Sequence, residues 1–166
     1  LHYGVEPVIL IFAVLYWGVG SFAITGGYHR LLTHLSYQVP DAVKVGFLVL
    51  AAGQFQGPAL RWCTDHRKHH RFADTERDPH NINEGFWYAH VGWLFYDDTS
   101  PFEPDLLADK TLVWQNRYYV PMAILVGFGM PTFVGWLLGS AVGGLILGGL
   151  LRVVLSHHCT FFINSL

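Results

Sequence analysis

The chain has 166 residues, of which 52% are hydrophobic and only 13% are charged, and its formal net charge is −2. Soluble domains carry about 25% charged residues, so this composition favours an integral membrane protein of a single domain. The weakly negative net charge gives no reason to expect a nucleic-acid partner.

The first predicted element is a transmembrane helix over residues 7–28, which contain no charged side chain. A helix needs about 20 apolar residues to cross a bilayer. Residues 118–151 are also uncharged, and apolar sequence continues to the end of the chain. This stretch is too long for one crossing, so we predict two, over about 118–138 and 141–160, with a turn between them.

Residues 45–60 form another apolar stretch, which is shorter than the usual spanning length. We predict that it does not span, because histidine clusters before and after it must lie on one side of the bilayer to share a metal site. Nine of the ten Lys and Arg residues lie at Arg30, at Lys44 or between residues 61 and 117. By the positive-inside rule the histidine face is cytosolic, and residues 29–117 form a folded cytosolic cap.

The two histidine clusters are His29 and His34, and His66, His69 and His70. Neutral imidazole is a good ligand for iron, zinc and copper, so five histidines in two groups predict a site for more than one metal ion. On an α-helix, the i, i+3, i+4 spacing of the second cluster places its three side chains on one face. The spacing of His29 and His34 corresponds to about 140° on an α-helix, so we expect these two side chains to splay apart.

Three aspartates near the second cluster are candidates to orient the ligand histidines. Asp65, Asp74 and Asp78 can each accept a hydrogen bond from the second ring N–H of a ligand, which fixes the tautomer and the ring orientation.

Four further histidines lie later in the chain. His80 and His90 are not expected to bind metal. His157 and His158 are adjacent at the end of an apolar stretch, and adjacent side chains point about 100° apart on a helix. At most one of this pair is therefore expected to face the site.

The clusters belong to longer motifs. Residues 29–34 read H-R-x-x-x-H, and residues 62–81 read W-x-x-D-H-R-x-H-H-R-F-x-D-T-x-x-D-P-H-N. H-V-G-W-L follows at 90–94 and T-F-F-I-N-S at 160–165. From about residue 26 to residue 165 the chain resembles the membrane-bound acyl-CoA (stearoyl-type, delta-9) fatty acid desaturases. The arginine after the first histidine and the H-R-x-H-H form are similar to the delta-9 branch.

Sequence and resemblance together predict an all-α integral membrane fold, in which transmembrane helices carry a cytosolic cap with a histidine-rich di-metal site. The resemblance implies a non-haem centre of two iron ions. The ligand positions that match are His29, His34, His66, His69 and His70, with Asn164 holding one iron through a water. Gln56 and Trp62 match positions that line the bend of the acyl tunnel.

The activity that the resemblance implies is the introduction of a cis double bond, of the delta-9 type, into a saturated fatty acyl thioester. The reaction uses O2 and two electrons. No G-x-G-x-x-G nucleotide-binding motif occurs in the sequence, so the electrons are expected from a small cytochrome or ferredoxin with its reductase. We expect a multi-pass protein in membrane lipid, in a bacterial inner membrane or the endoplasmic reticulum, with its active site facing the cytosol.

The resembling family also has a ligand histidine after its Asn-Ser pair and a third histidine box. Both would lie beyond Leu166. We therefore expect the chain to be a fragment cut before the third box, and to be inactive as written.

Two other interpretations stay open at the level of sequence. A membrane di-iron hydroxylase of fatty acids or alkanes uses the same kind of centre but returns oxygen to carbon, so its product is an alcohol. A membrane haem electron-transfer protein or a metal transporter also places histidines beside membrane helices. A haem site needs paired histidines at matched depth on two spans, and a transporter needs polar groups inside its crossings; the apolar stretches contain few of either.

Overall fold

A computed structural model describes residues 6–96 and 100–165, with side chains up to Ile163. Within these residues the chain is helical and contains no strand. In chain order the helices are α1 (Pro7–Thr33), α2 (Asp41–Ala52), α3 (Ala59–Phe72), α4 (Phe86–His90), α5 (Pro104–Ala108), α6 (Lys110–Arg117), α7 (Tyr119–Leu137) and α8 (Ala141–Ile163), which continues to Ser165. Two short 3-10 turns, Ile82–Glu84 and Gly92–Phe95, flank α4.

Three of these helices, α1, α7 and α8, are long and apolar enough to cross a membrane. They expose large apolar side chains on their outer faces, such as Leu15, Leu125 and Val142, as helices in contact with lipid do. The predicted all-α membrane fold is thereby confirmed. The exact spans, and the assignment of residues 29–117 to a cytosolic cap, stay predictions.

Helices α7 and α8 form a tight hairpin. The turn contains Gly139, whose φ of 100° favours glycine, and Ser140, whose Oγ accepts a hydrogen bond from the backbone N–H of Gly143 at 3.0 Å. Gly144 lies directly against the backbone of Pro131, so that any Cβ there would collide with the Pro131 carbonyl. Small residues allow this close approach of two membrane helices.

The apolar stretch at residues 45–60 is not one helix. Helix α2 ends at Ala52 and α3 begins at Ala59, and the chain turns between them with positive φ at Phe55 (57°) and Gly57 (91°). At about 1.5 Å per residue, α2 with its 12 residues is too short to cross a bilayer. The side of the bilayer on which this stretch lies stays a prediction.

A buried core joins the end of α1 to α2, α3, α5 and α6. It includes Tyr28, Leu48, Leu60 and Leu112, all of which are almost completely inaccessible to solvent. Gln115 links α6 to α1 and α3. Its Nε2 donates to the hydroxyl of Tyr28 at 2.6 Å, and its Oε1 accepts from the N–H of Ala59 at 3.0 Å. The core therefore fixes the end of α1, which carries the first histidine cluster, against α3, which carries the second.

Candidate metal centre

The first histidine pair, His29 and His34, stands at the end of α1, where residues 23–33 form a π-helix. A π-helix has i→i+5 hydrogen bonds, and the N–H of His34 donates to the carbonyl of His29 at 3.0 Å. Side chains five residues apart are therefore stacked one above the other, and the two Nε2 atoms lie 3.2 Å apart. The expectation that this pair splays apart was wrong, because it assumed α-helical geometry.

The second histidine pair, His66 and His70, stands on α3 with ordinary α-helical spacing. Its Nε2 atoms lie 3.0 Å apart. One ligand nitrogen from each residue of the two pairs lies within 4.8 Å of the other three. Two nitrogens that are each about 2.1 Å from one ion and at right angles to each other are about 3.0 Å apart. The four-histidine group, made of His29, His34, His66 and His70, therefore has the spacing of a metal site.

Neutral imidazoles are needed for metal binding, and the packing of this group favours them. Burial, together with smaller effects of the neighbouring imidazoles of His29, His70, His34 and His69, lowers the pKa of His66 to about 3. The pKa of His70 is lowered by burial and then by His34 and His69. At neutral pH both side chains of the second pair offer lone pairs and not positive charges.

Arg67 holds the two pairs together, although it is not itself a ligand type. From its place on α3 its Nη2 donates to the carbonyl of Leu32 at 3.0 Å and its Nε donates to the carbonyl of Thr33 at 3.2 Å. Its Nη1 forms an ion pair with Asp105 at 2.8 Å. The carbonyls at the end of a helix lack partners within the helix, so Arg67 both caps α1 and ties it to α3.

His69 points to a second group. Its Nδ1–H donates to Oδ1 of Asp78 at 2.8 Å, and this hydrogen bond leaves Nε2 free for a metal. The Asp78 side chain is fully buried and also accepts from the backbone N–H groups of Asp74 and His80, each at 2.9 Å. Burial alone would raise the pKa of Asp78, but these three hydrogen bonds lower it. The carboxylate is therefore charged and fixed in place.

His80 completes this second group, in which ligand atoms of His69, Asp78 and His80 lie within 4.8 Å of one another. Burial lowers the pKa of His80 to about 4, with a smaller lowering by His69 and an opposing effect of Asp78. Its Nδ1 is buried and has no hydrogen-bond partner among the described residues. Sequence reasoning had not expected His80 at a metal site, and only its nearness to Asp78 in the D-P-H-N motif could have pointed to it.

The other two candidate aspartates have different contacts. Asp65 forms an ion pair with Arg61 at 3.2 Å. Asp74 meets the second group through its backbone N–H, and its φ of 59° places it at a sharp turn. Their role as carboxylate partners of ligand histidines stays a prediction.

An apolar cavity of about 390 Å³ opens beside the four-histidine group. Gln56 and Trp62, the predicted tunnel residues, both line it. Trp62 Nε1 donates to Gln56 Oε1 at 3.4 Å, and Gln56 Nε2 donates to the hydroxyl of Thr160 on α8 at 2.9 Å. Thr160 was not predicted as a site residue. The remaining lining side chains are mostly aromatic or aliphatic, among them Ile24, Phe55, Trp93, Leu94 and Phe161.

The adjacent histidines of α8 point in different directions, as their helical spacing predicts. His157 lines the cavity, whereas Nδ1 of His158 lies 3.1 Å from Nε2 of His90. The side chain of Asn164, the predicted water-mediated ligand, lies outside the described part of the chain.

Comparison with known proteins identifies the family. The family model for the fatty acid desaturases matches residues 5–166. The chain belongs to this family. The resemblance that the histidine motifs indicate is thereby confirmed.

The similar proteins are named as desaturases of fatty acyl chains. The chain is 38% identical to the "Probable acyl-CoA desaturase" of Schizosaccharomyces pombe, over 95% of this chain and 34% of that protein. It is 34% identical to the "sn-1 stearoyl-lipid 9-desaturase" of Anabaena variabilis, over 92% of this chain and 56% of that protein. It is also 34% identical to the "Stearoyl-CoA desaturase" of Bos taurus, over 93% of this chain and 46% of that protein. The chain thus spans about a third to a half of the length of these relatives.

Proposed function

We propose that the protein is a fatty acyl desaturase that introduces a cis double bond of the delta-9 type into a saturated fatty acyl chain. The observation that carries the proposal is the four-histidine group beside an apolar cavity, within a membrane-type fold. Family membership supports the same reaction. The thioester carrier, coenzyme A, belongs to the proposal and takes its support from relatives named as acyl-CoA desaturases.

The metal that fits best is a pair of iron ions. His29, His34, His66 and His70 would hold one ion, and Nε2 of His69, oriented by Asp78, would contribute to the second. Asn164 is proposed to hold the first of these two ions through a water molecule. When bound, two irons supply the activation of O2 that is needed to remove hydrogen from an unactivated methylene group. A donor set of neutral imidazoles is suited to such a non-haem centre.

The cavity residues bind and orient the acyl chain. The hydrogen-bonded set of Trp62, Gln56 and Thr160 makes a polar point in a cavity whose surface is mainly apolar, and we propose that the acyl chain bends there beside the histidines. Because the lining is apolar, the chain displaces water from the site. Fixed placement of the reacting methylene supplies a large part of the rate enhancement in reactions of this kind.

The two electrons are proposed to come from a separate protein, a small cytochrome or a ferredoxin with its reductase. This partner would dock on the segment between α1 and α7, which contains eight of the ten Lys and Arg residues and eleven of the twelve acidic residues. We propose that this segment faces the cytosol. Single cysteines placed at Thr33 and at Asp74 should both resist an impermeant reagent added outside sealed cells, whereas one at Ser140 should react.

Expression of the full-length protein in a strain that requires unsaturated fatty acids tests the reaction. The strain should grow, and its lipids should contain cis-monounsaturated chains. Hydroxylated chains without alkenes would instead support a di-iron hydroxylase. A haem absorption band in the purified protein, with no non-haem iron, would contradict both.

A further inference from the structure

The six residues between α2 and α3, here called the 53–58 loop, form part of the cavity wall. Phe55, Gln56 and Gly57 all line it. The loop backbone is irregular, with positive φ at Phe55 and Gly57, so several of its carbonyls cannot bond within a helix. In a membrane protein such groups must find partners on neighbouring helices.

One of those partners is Arg152 on α8, which is only 1% exposed. Its Nη2 donates to the carbonyl of Gly53 at 2.7 Å and to the carbonyl of Gly127 at 3.3 Å. Its Nε donates to the carbonyl of Gly148 at 2.7 Å, and its guanidinium lies over the ring of Tyr16 at 4.7 Å. The start of the loop is therefore bonded to a side chain that is itself immobilised on three sides.

A second partner is His157, five residues farther along α8. Its Nε2–H donates to the carbonyl of Gln54 at 2.8 Å. The ring packs against Phe161 at a centroid distance of 5.3 Å and lines the cavity. His157 therefore connects the loop backbone, the cavity wall and α8.

The contacts follow one another along both segments. Arg152, His157 and Thr160 on α8 meet Gly53, Gln54 and Gln56 of the loop in the same order. Because α8 holds two consecutive carbonyls and the Gln56 side chain, this helix fixes the position of the 53–58 loop.

We propose that Arg152 and His157 are positioning residues that determine which methylene group of the acyl chain faces the histidines. The proposal rests on the desaturase function given above. Consecutive carbons of the chain are separated by roughly 1.5 Å, so a small displacement of the 53–58 loop presents a neighbouring methylene to the metal site. Misplacement on this scale lowers rates by about 100-fold in enzymes where position is critical, and here it also changes the product.

The test uses the full-length enzyme with His157→Leu, which removes the hydrogen-bond donor and keeps an apolar side chain of similar bulk. The double-bond position in the products is measured by mass spectrometry of derivatised fatty acids. The share of double bonds at neighbouring positions should rise severalfold, and total product should fall about tenfold. His157→Gln, whose amide can again donate to the Gln54 carbonyl, should restore the native position.

His158→Leu is the matched control, because His158 is the next residue on the same helix but contacts His90 and not the loop. Its products should keep the native double-bond position. The isomer ratio does not depend on the amount of folded enzyme, so a loss of stability alone leaves it unchanged. A lower yield from His157→Leu with the wild-type isomer ratio would therefore overturn the proposal.

If His157→Leu yields too little product to measure, Arg152→Lys provides the same readout. Lysine keeps the positive charge but lacks the planar set of donors that reaches several carbonyls. A shifted isomer ratio supports the proposal, and an unchanged ratio contradicts it. A wild-type enzyme that forms no alkene at all would instead refute the desaturase function.

Discussion

The two histidine pairs of the candidate metal centre reach almost the same nitrogen spacing on different backbones. His66 and His70 lie four residues apart on an α-helix, whereas His29 and His34 lie five residues apart on a π-helix. Their Nε2 atoms are 3.0 Å and 3.2 Å apart. The second pair follows from local helical geometry. The first depends on a rare backbone form, which the surrounding core and Arg67 have to support.

The largest effect should come from removing a ligand from either pair. His34→Ala and His70→Ala should each lower the activity of the full-length enzyme by more than about 100-fold, because even the loss of a residue behind a ligand costs about 10–100-fold. Iron content and product formation are the measurements, and His158→Ala is the control. If His34→Ala kept near-normal activity and iron while His70→Ala did not, the π-helical pair would not be a ligand pair.

Asp78→Asn should have the next largest effect, because it replaces the charged acceptor of His69 while conserving size. The second histidine cluster serves two groups, and this change affects only the one containing His69. We expect a loss of about 10–100-fold in metal affinity or turnover. Asp41→Asn, at a side chain that is 83% exposed, should be near wild type. Equal activities of the two variants would show that Asp78 does not orient a ligand.

Arg67→Met should lower the activity about tenfold, because it releases the end of the π-helix and leaves two carbonyls without their donor. Arg67→Lys should not restore activity, because an ammonium cannot bond two carbonyls and a carboxylate in this fixed geometry. Arg71→Met removes a more exposed ion pair with Glu103 and serves as the control. Activity and iron binding at the wild-type level in Arg67→Met would mean that the first pair needs no support from α3.

The smallest effect should come from the ion pair between Lys44 on α2 and Asp109, in which Nζ lies 2.7 Å from Oδ2. Helix α2 packs behind the π-helix. Burial alone would raise the pKa of Asp109, but hydrogen bonds from Lys44 and Thr111 lower it below the ordinary value of 3.8. A carboxyl group with a lowered pKa stabilises the folded state at pH values above its ordinary pKa. This contribution is lost as the pH falls through the lowered pKa of the folded state. The pair is partly exposed, so the loss should be about 0.5 kcal/mol.

Unfolding of the protein in detergent micelles at pH 5 and at pH 3 measures this contribution. The wild type should lose about 0.5 kcal/mol more than Asp109→Asn between these two pH values. The same acid sensitivity in both proteins would show that the Lys44 pair contributes nothing to the support of α2.

Sequence reasoning succeeded where local periodicity decides the structure. Uncharged stretches of spanning length predicted the long helices, and the helical spacing correctly placed His66 and His70 together on α3. His69, which was expected on the same face, instead points to the second group. The same reasoning also predicted that His157 and His158 point to different surroundings, because α8 is regular α-helix there. In each case the relevant geometry involves residues of a single helix.

The failures have physical causes in tertiary structure. The sequence of residues 23–33 does not predict a π-helix, because this rare form is stabilised by packing and not by residue propensity. His80 enters the second group through a turn closed by the Asp78 carboxylate, and Arg67 acts on carbonyls of a distant helix. Thr160 enters the site through a hydrogen bond from Gln56, which is distant in sequence, so local sequence gives no signal for its role.

The π-helix at the end of α1 has a consequence for how the gene can vary. Removing one codon from residues 23–33 would favour a return to ordinary α-helix, in which each residue advances the chain by about 100°. A codon lost before His29 would rotate both histidines away from α3, and one lost between them would change their spacing to four. In-frame deletions in this short segment should thus be eliminated by selection far more strictly than most amino-acid replacements there.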